Sequence, residues 1–114
     1  MVWPRIGAAL CFLAVALGAF GAHALKAMLL THNSRDVWNT AVLYHFLHGL
    51  AVVTLGYHAS GSRVVCSLFL AGILLFSGSL YALALTGASW LGPITPLGGL
   101  CFLAGWAWLL FSPG

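Results

Sequence analysis

Apolar residues fill four long runs of the chain, covering about 5–25, 37–58, 64–86 and 94–111. Short polar or Gly/Pro-rich stretches separate them. Each run has about 18–23 residues, which at ~1.5 Å per residue matches a hydrocarbon core about 30 Å thick. Backbone groups in lipid have no water to bond and must pair internally, so each run predicts a helix. The expected fold is all-α: an integral membrane four-helix bundle of antiparallel up-down topology, with residues 1–114 forming a single four-pass transmembrane domain. The connections differ. "LKAMLLTHNSRD" (25–36) has an amphipathic front half suited to the membrane interface, "ASGSR" (59–63) predicts a tight turn, and "TGASWLGPITP" (86–96) is rich in Gly and Pro. Trp3, Trp38 and Trp90 fall near predicted helix boundaries, where an aromatic belt is expected. The start of the chain imitates a secretion signal, with Arg5, an apolar run and Ala22-His23-Ala24. The run from Ile6 to about Leu25 is nevertheless long enough to span.

Composition narrows the function classes. The 114 residues are 62% hydrophobic and 4% charged, whereas soluble domains carry about 25% charged residues. The net charge of +3 rests on four Lys/Arg and one Asp, too sparse for a nucleic-acid footprint. The lipid bilayer is the expected surrounding partner, with a homo-oligomer or another membrane protein as further candidates and no nucleic acid. Cys11, Cys66 and Cys101 lie far apart in apolar runs and read as small packing residues.

The stretch "AVLYHFLHGLAVV" (41–53) departs from the apolar pattern with two histidines and a tyrosine. Four passes put both termini on one side, with Arg5 and Arg63. Lys26, Arg35 and Asp36 fall on the other, so the basic residues divide two against two and leave orientation open. Counting depth along each run gathers His23, Tyr44, His45, His48, Ser77, Tyr81 and Thr95 into the half of the bilayer away from the termini. Thr40, Tyr44 and His48 form an i, i+4 row, with His45 beside it. Polar side chains in membrane helices usually face the bundle interior, so one buried cluster is expected. Burial disfavours charge, so its histidines are expected to be neutral, each donating one hydrogen bond and accepting another. The irregular "GPITPLGG" (92–99) leaves carbonyls in need of partners, and the histidine row is a candidate to supply them.

Three readings of this cluster compete. Interhelical hydrogen-bond glue is one. A metal or haem site built on His23, His45 and His48 is another; these are weak metal candidates because no carboxylate sits near them. A histidine-lined path for protons or solutes is the third. The spans hold no acid, no reactive cysteine pair and no nucleophile–base spacing, so no catalytic residue is assigned, no cofactor is expected, and a non-enzymatic role is preferred over an enzymatic one.

Small residues recur at helical spacing: Cys11, Ala14, Gly18 and Ala22 in the first run, Gly98, Cys101 and Gly105 in the fourth, and Gly78 with Ala82 in the third. Such stripes let helix backbones approach closely in lipid. With these in view, "LGAFGAHALK" (17–26), "W-x-T-A-x-x-Y-H-F-L-H-G-L-A" (38–51), "LFSGSLYALALTG" (75–87) and "ITPLGGLCFLAGWAWLL" (94–110) resemble the YgdD-like family of small membrane proteins. This is the bacterial domain-of-unknown-function family four-two-three, related to eukaryotic transmembrane protein two-five-six. Its signature positions fall on Gly18, Gly21, His23, His45, His48, Ser77, Gly78, Tyr81, Thr95, Pro96, Gly98, Gly99, Gly105 and Trp106. The resemblance implies a four-helix protein of the bacterial inner (plasma) membrane, with cytoplasmic termini and helix packing at Gly18, Gly21, Gly78, Pro96, Gly98, Gly99 and Gly105. It implies no activity.

Overall fold

The computed structural model describes residues 2–31, 34–58 and 62–112. Among the described residues the chain is helical and contains no strand. The elements are α1 (Trp3–Ala22), α2 (Lys26–Thr31), α3 (Arg35–Gly56), α4 (Ser62–Gly72), a π-helical turn (Ile73–Ser77), α5 (Gly78–Thr86), a 3₁₀ segment (Ser89–Ile94) and α6 (Thr95–Phe111). Three stretches are long and apolar enough to cross a membrane: Trp3–Ala22, Arg63–Thr86 and Ser89–Phe111. Helix α3 has a comparable 22 residues. Its mean hydropathy is lowered by the same Asn39, Tyr44, His45 and His48 that make it chemically interesting.

Local chemistry sets the boundaries. Pro4 sits in the first turn of α1, where its missing N–H costs nothing. The expected continuation of α1 to residue 25 stops at Ala22; the His23 N–H returns to the Ala19 and Phe20 carbonyls and the chain turns into α2. The interfacial stretch therefore forms its own short helix, and it is anchored: Leu29 is buried against Trp38 and Ala84. The Ser34 hydroxyl holds the same corner by donating to the Ala84 carbonyl at 2.8 Å. Gly87 takes φ +69° to end α5, with its N–H on the Leu83 carbonyl at 2.8 Å. Of the turn expected at 59–63, residues 59–61 lie outside the described residues.

The predicted third run is one rod with a defect. Its path widens into the π turn, where the Gly78 N–H bonds the Ile73 carbonyl five residues back. The defect coincides with the closest approach of α6, because Gly98 lies directly against the Phe76 backbone. Gly105 faces Phe69, and Gly72 faces Phe102, in the same seam. These pairings descend on one rod as they ascend on the other, so the two run antiparallel. Helices α1 and α3 make a second antiparallel seam. A methyl group on Gly7 would stand 2.6 Å from Val53, and one on Gly56 would stand 2.8 Å from Pro4. Gly49 packs on Leu10 and Cys11 in the same register. Helix α3 lies between α1 and the α4–α5 rod, which carries α6. An apolar cluster of Leu10, Val52, Val65, Cys66, Phe69, Ile73 and Phe102 fills one half, while Leu29, Trp38 and Ala84 fill the end near α2.

Candidate functional site

Between these two apolar clusters lies a layer of hydrogen-bonding side chains, and α3 organises it. The buried stripe of α3 is Trp38, Ala41, His45, His48 and Val52, at steps of three and four residues. Its polar links reach every neighbouring long element. Trp38 Nε1 donates to the Leu17 carbonyl of α1 at 2.9 Å. The Ala41 carbonyl accepts from Ser77 Oγ of the π turn at 2.8 Å. His45 Nδ1 and the Tyr81 hydroxyl of α5 lie 2.8 Å apart. His48 Nε2 accepts from Trp106 Nε1 of α6 at 3.0 Å.

The two histidines sit in different surroundings. His48 Nδ1 lies 2.8 Å from the Tyr44 carbonyl, an acceptor only, so Nδ1 carries the hydrogen. Nε2 then has a lone pair, which the indole N–H of Trp106 fills. Both nitrogens of a neutral ring are thereby satisfied. The ring also stacks on Phe102 at 3.7 Å between centroids and meets Phe69 edge-on at 5.0 Å. His45 is equally buried, yet its Nε2 makes no well-formed hydrogen bond, with the Leu10 backbone carbonyl of α1 as the acceptor within reach. Its Nδ1 shares one hydrogen with Tyr81, whose ring leans on Trp38 at 4.8 Å.

The remaining expected cluster members are dispersed. Thr95 Oγ1 bonds Ser79 Oγ at 2.6 Å, and Ser79 also donates to the Phe76 carbonyl at 2.9 Å. This pair, rather than the histidine row, serves the start of α6. His23 is exposed at the end of α1, away from His45 and His48. Tyr44 is 39% exposed and contributes its backbone carbonyl to His48, while its ring packs on Phe76 at 4.8 Å. The i, i+4 row of Thr40, Tyr44 and His48 is thus split, with His48 inside and the other two outside. Among the glycines expected to pack, Gly18 lies near Val42, and Gly21, Gly98 and Gly105 make the tightest approaches. Gly78 and Gly99 have only distant neighbours, and Pro96 is exposed in the first turn of α6. Among the described residues no three His, Cys, Asp or Glu side chains are grouped to hold a metal ion.

Several participants are not evident from polarity alone. Trp38, expected at the membrane boundary, is 2% exposed and inward. Phe69, Phe102 and Trp106 build the box around His48. The sequence signal for Trp106 is an indole N–H more than a turn inside an apolar helix, which requires an internal acceptor. Ser34 had no signal beyond its place before a helix.

A family model described as "Protein of unknown function (DUF423)" matches residues 17–99. The UPF0382 membrane protein YwdK of Bacillus subtilis is 44% identical over 117 residues, covering 97% of this chain and 94% of its own length. A UPF0382 membrane protein of Staphylococcus haemolyticus is 41% identical, covering 94% and 90%. One from the yeast Schizosaccharomyces pombe is 38% identical, covering 96% and 98%. No solved structure matches the chain.

Proposed function

The chain belongs to this family of uncharacterised membrane proteins, and on that premise we propose that it is a four-span, up-down protein of the inner (plasma) membrane with cytoplasmic termini, working without catalysis. In this reading α3 is the fourth span. Its buried polar stripe is a lock that holds the other spans in register, so that the outer surface can serve a membrane partner. The observation that carries it is the set of hydrogen bonds from α3 to α1, to the α4–α5 rod and to α6. In lipid there is no hydrophobic force to gather helices, so close glycine packing and such bonds supply the cohesion. The satisfied, aromatic-packed state of His48 suits a lock and leaves it no free lone pair for a ligand.

Two experiments test this reading. Single-cysteine labelling at Arg35→Cys and Tyr57→Cys, with the natural cysteines replaced by Ala, should report opposite sides of the membrane. Labelling from one side removes α3 as a span. Purified parent protein should carry no stoichiometric metal or chromophore, while His48→Ala should unfold more easily. A ligand at His48 in the parent protein would overturn the lock.

A second reading has its own observation. The buried His45 Nε2, which makes no well-formed hydrogen bond, is the ring nitrogen of this pair more open to binding a proton or small ligand. A bound species that disappears in His45→Leu but persists in His48→Phe would favour it.

A further inference from the structure

Of the four histidines among the described residues, His23 and His58 are exposed, whereas His45 and His48 are 4% and 5% exposed inside the bundle. What each buried ring can take up is decided by the groups that face its nitrogens. At His48, Nδ1–H donates to the Tyr44 carbonyl at 2.8 Å, and Nε2 accepts from the Trp106 indole at 3.0 Å. An indole N–H only donates. A second hydrogen on Nε2 would set two donors against each other, so His48 is closed to it. At His45, the group within reach of Nε2 is the Leu10 carbonyl of α1, which only accepts. The hydrogen of the neutral ring therefore belongs on Nε2. Nδ1 lies 2.8 Å from the Tyr81 hydroxyl, and a hydroxyl both donates and accepts. With the ring neutral, the phenol donates to Nδ1. With Nδ1 protonated, the same oxygen accepts from it.

We infer that His45 is a proton-binding site, with the Tyr81 hydroxyl as the rotor that admits the proton. The inference rests on the second reading above and narrows the bound species to a proton. The proton adds to the Nδ1 lone pair. No bond breaks, and the phenol keeps its hydrogen, turned away from the ring. The product is an imidazolium with an oxygen facing each N–H, the Tyr81 hydroxyl at Nδ1 and the Leu10 carbonyl at Nε2. No countercharge stands beside it. Arg5, Lys26, Arg35, Asp36 and Arg63 are all exposed, in the first turns of their helices. Of the other titratable side chains on the packed elements, Cys11 lies against Gly49, and Cys66 is directed to the Val52 carbonyl. A charge held by hydrogen bonds, with no carboxylate to trap it, suits a site that takes up and releases its proton. A metal ion, by contrast, would find no group of three ligands among the described residues.

The test is nitrogen NMR of the full ¹⁵N-histidine chain in liposomes, acidified stepwise from mildly alkaline pH for as long as the fold holds. At the alkaline end His45 should be the Nε2–H tautomer, opposite to His48. On acidification His45 should gain its second hydrogen while His48 keeps one. Tyr81→Phe keeps the ring against Trp38 and removes only the hydroxyl. It should lower the proton affinity of His45 by about threefold to thirtyfold, because a hydrogen bond from a charged ring is roughly twice as strong as one to a neutral ring. A His45 that keeps a single hydrogen down to the pH at which the fold is lost overturns the inference. So does a His48 that protonates first in the parent, or a Tyr81→Phe protein that titrates as the parent does. The second reading is separable. If a small molecule at His45 blocks its titration and His45→Leu releases that molecule, the proton assignment fails while the second reading stands. A His45 that neither titrates nor holds a bound species removes both.

Discussion

His45 and His48 stand one turn apart on the same buried stripe of one helix, yet the regions around them are built to opposite ends. Around His48, a backbone carbonyl and an indole N–H account for each nitrogen, and two aromatic rings pack against the imidazole. Around His45, one nitrogen meets Tyr81 and the other makes no well-formed hydrogen bond, having only the Leu10 backbone carbonyl of α1 within reach. An imidazole with every group paired contributes cohesion. One with a buried nitrogen left over surrenders much of that gain, because an unsatisfied buried polar group costs about 1–3 kcal/mol. A histidine in a membrane helix is therefore read from its second nitrogen: satisfied, it is structure, and unsatisfied, it is a candidate for chemistry.

The contrast can be broken experimentally, most forcefully at His48. His48→Ala removes the stack on Phe102 and strands the Trp106 N–H, so unfolding in bicelles should become easier by about 3 kcal/mol or more. A loss below about 1 kcal/mol would mean the box is not a lock. Trp106→Phe keeps a ring but deletes the donor, and should cost about 0.6–1.7 kcal/mol. Ser77→Ala removes the link from the π turn to the Ala41 carbonyl, for a comparable or smaller loss in the same assay. His45→Leu should change stability by less than about 1 kcal/mol in either direction, since the lost Tyr81 bond is offset by removing the orphaned nitrogen. If His45→Leu proves as damaging as His48→Ala, the two regions do not differ in the way described. One measurement sharpens the contrast with no substitution at all. Nitrogen NMR of ¹⁵N-histidine protein should show His48 as a single Nδ1–H tautomer, and a dominant Nε2–H form would contradict its hydrogen bonds.

Part of the site was legible in the chain. His45, His48 and Ser77 are buried and Tyr81 is half-buried beside His45, because a polar group facing lipid is costly and each of these has a neighbour to pair with. The i, i+4 row was misleading for Tyr44. Helical spacing places residues on one face but does not say where that face ends, and the edge of the buried stripe runs between Tyr44 and His48. His23 shared the right depth, but α1 ends just before it and leaves it exposed. Trp38 shows the reverse error: closeness to a helix end suggested an interfacial ring, while the Leu17 carbonyl and the α2 corner drew it inward. The π turn left no trace in composition, since the same apolar residues make either helix.

What the sequence alone determined is the material: long apolar runs with few charges must become membrane helices, because lipid leaves the backbone no other way to pair its polar groups. Small residues at helical spacing also announced that some backbones would touch. What only the tertiary structure decided is rotation, namely which side of α3 turns inward, which nitrogen of His48 keeps its hydrogen, and that Trp106 rather than a hydroxyl answers it. A helix surrounded by lipid is apolar on both its protein-facing and its lipid-facing sides, so hydropathy does not orient it. The orientation comes from contacts between segments far apart in the chain, such as Gly7 on Val53 and Gly98 on Phe76, and those exist only once the helices have met.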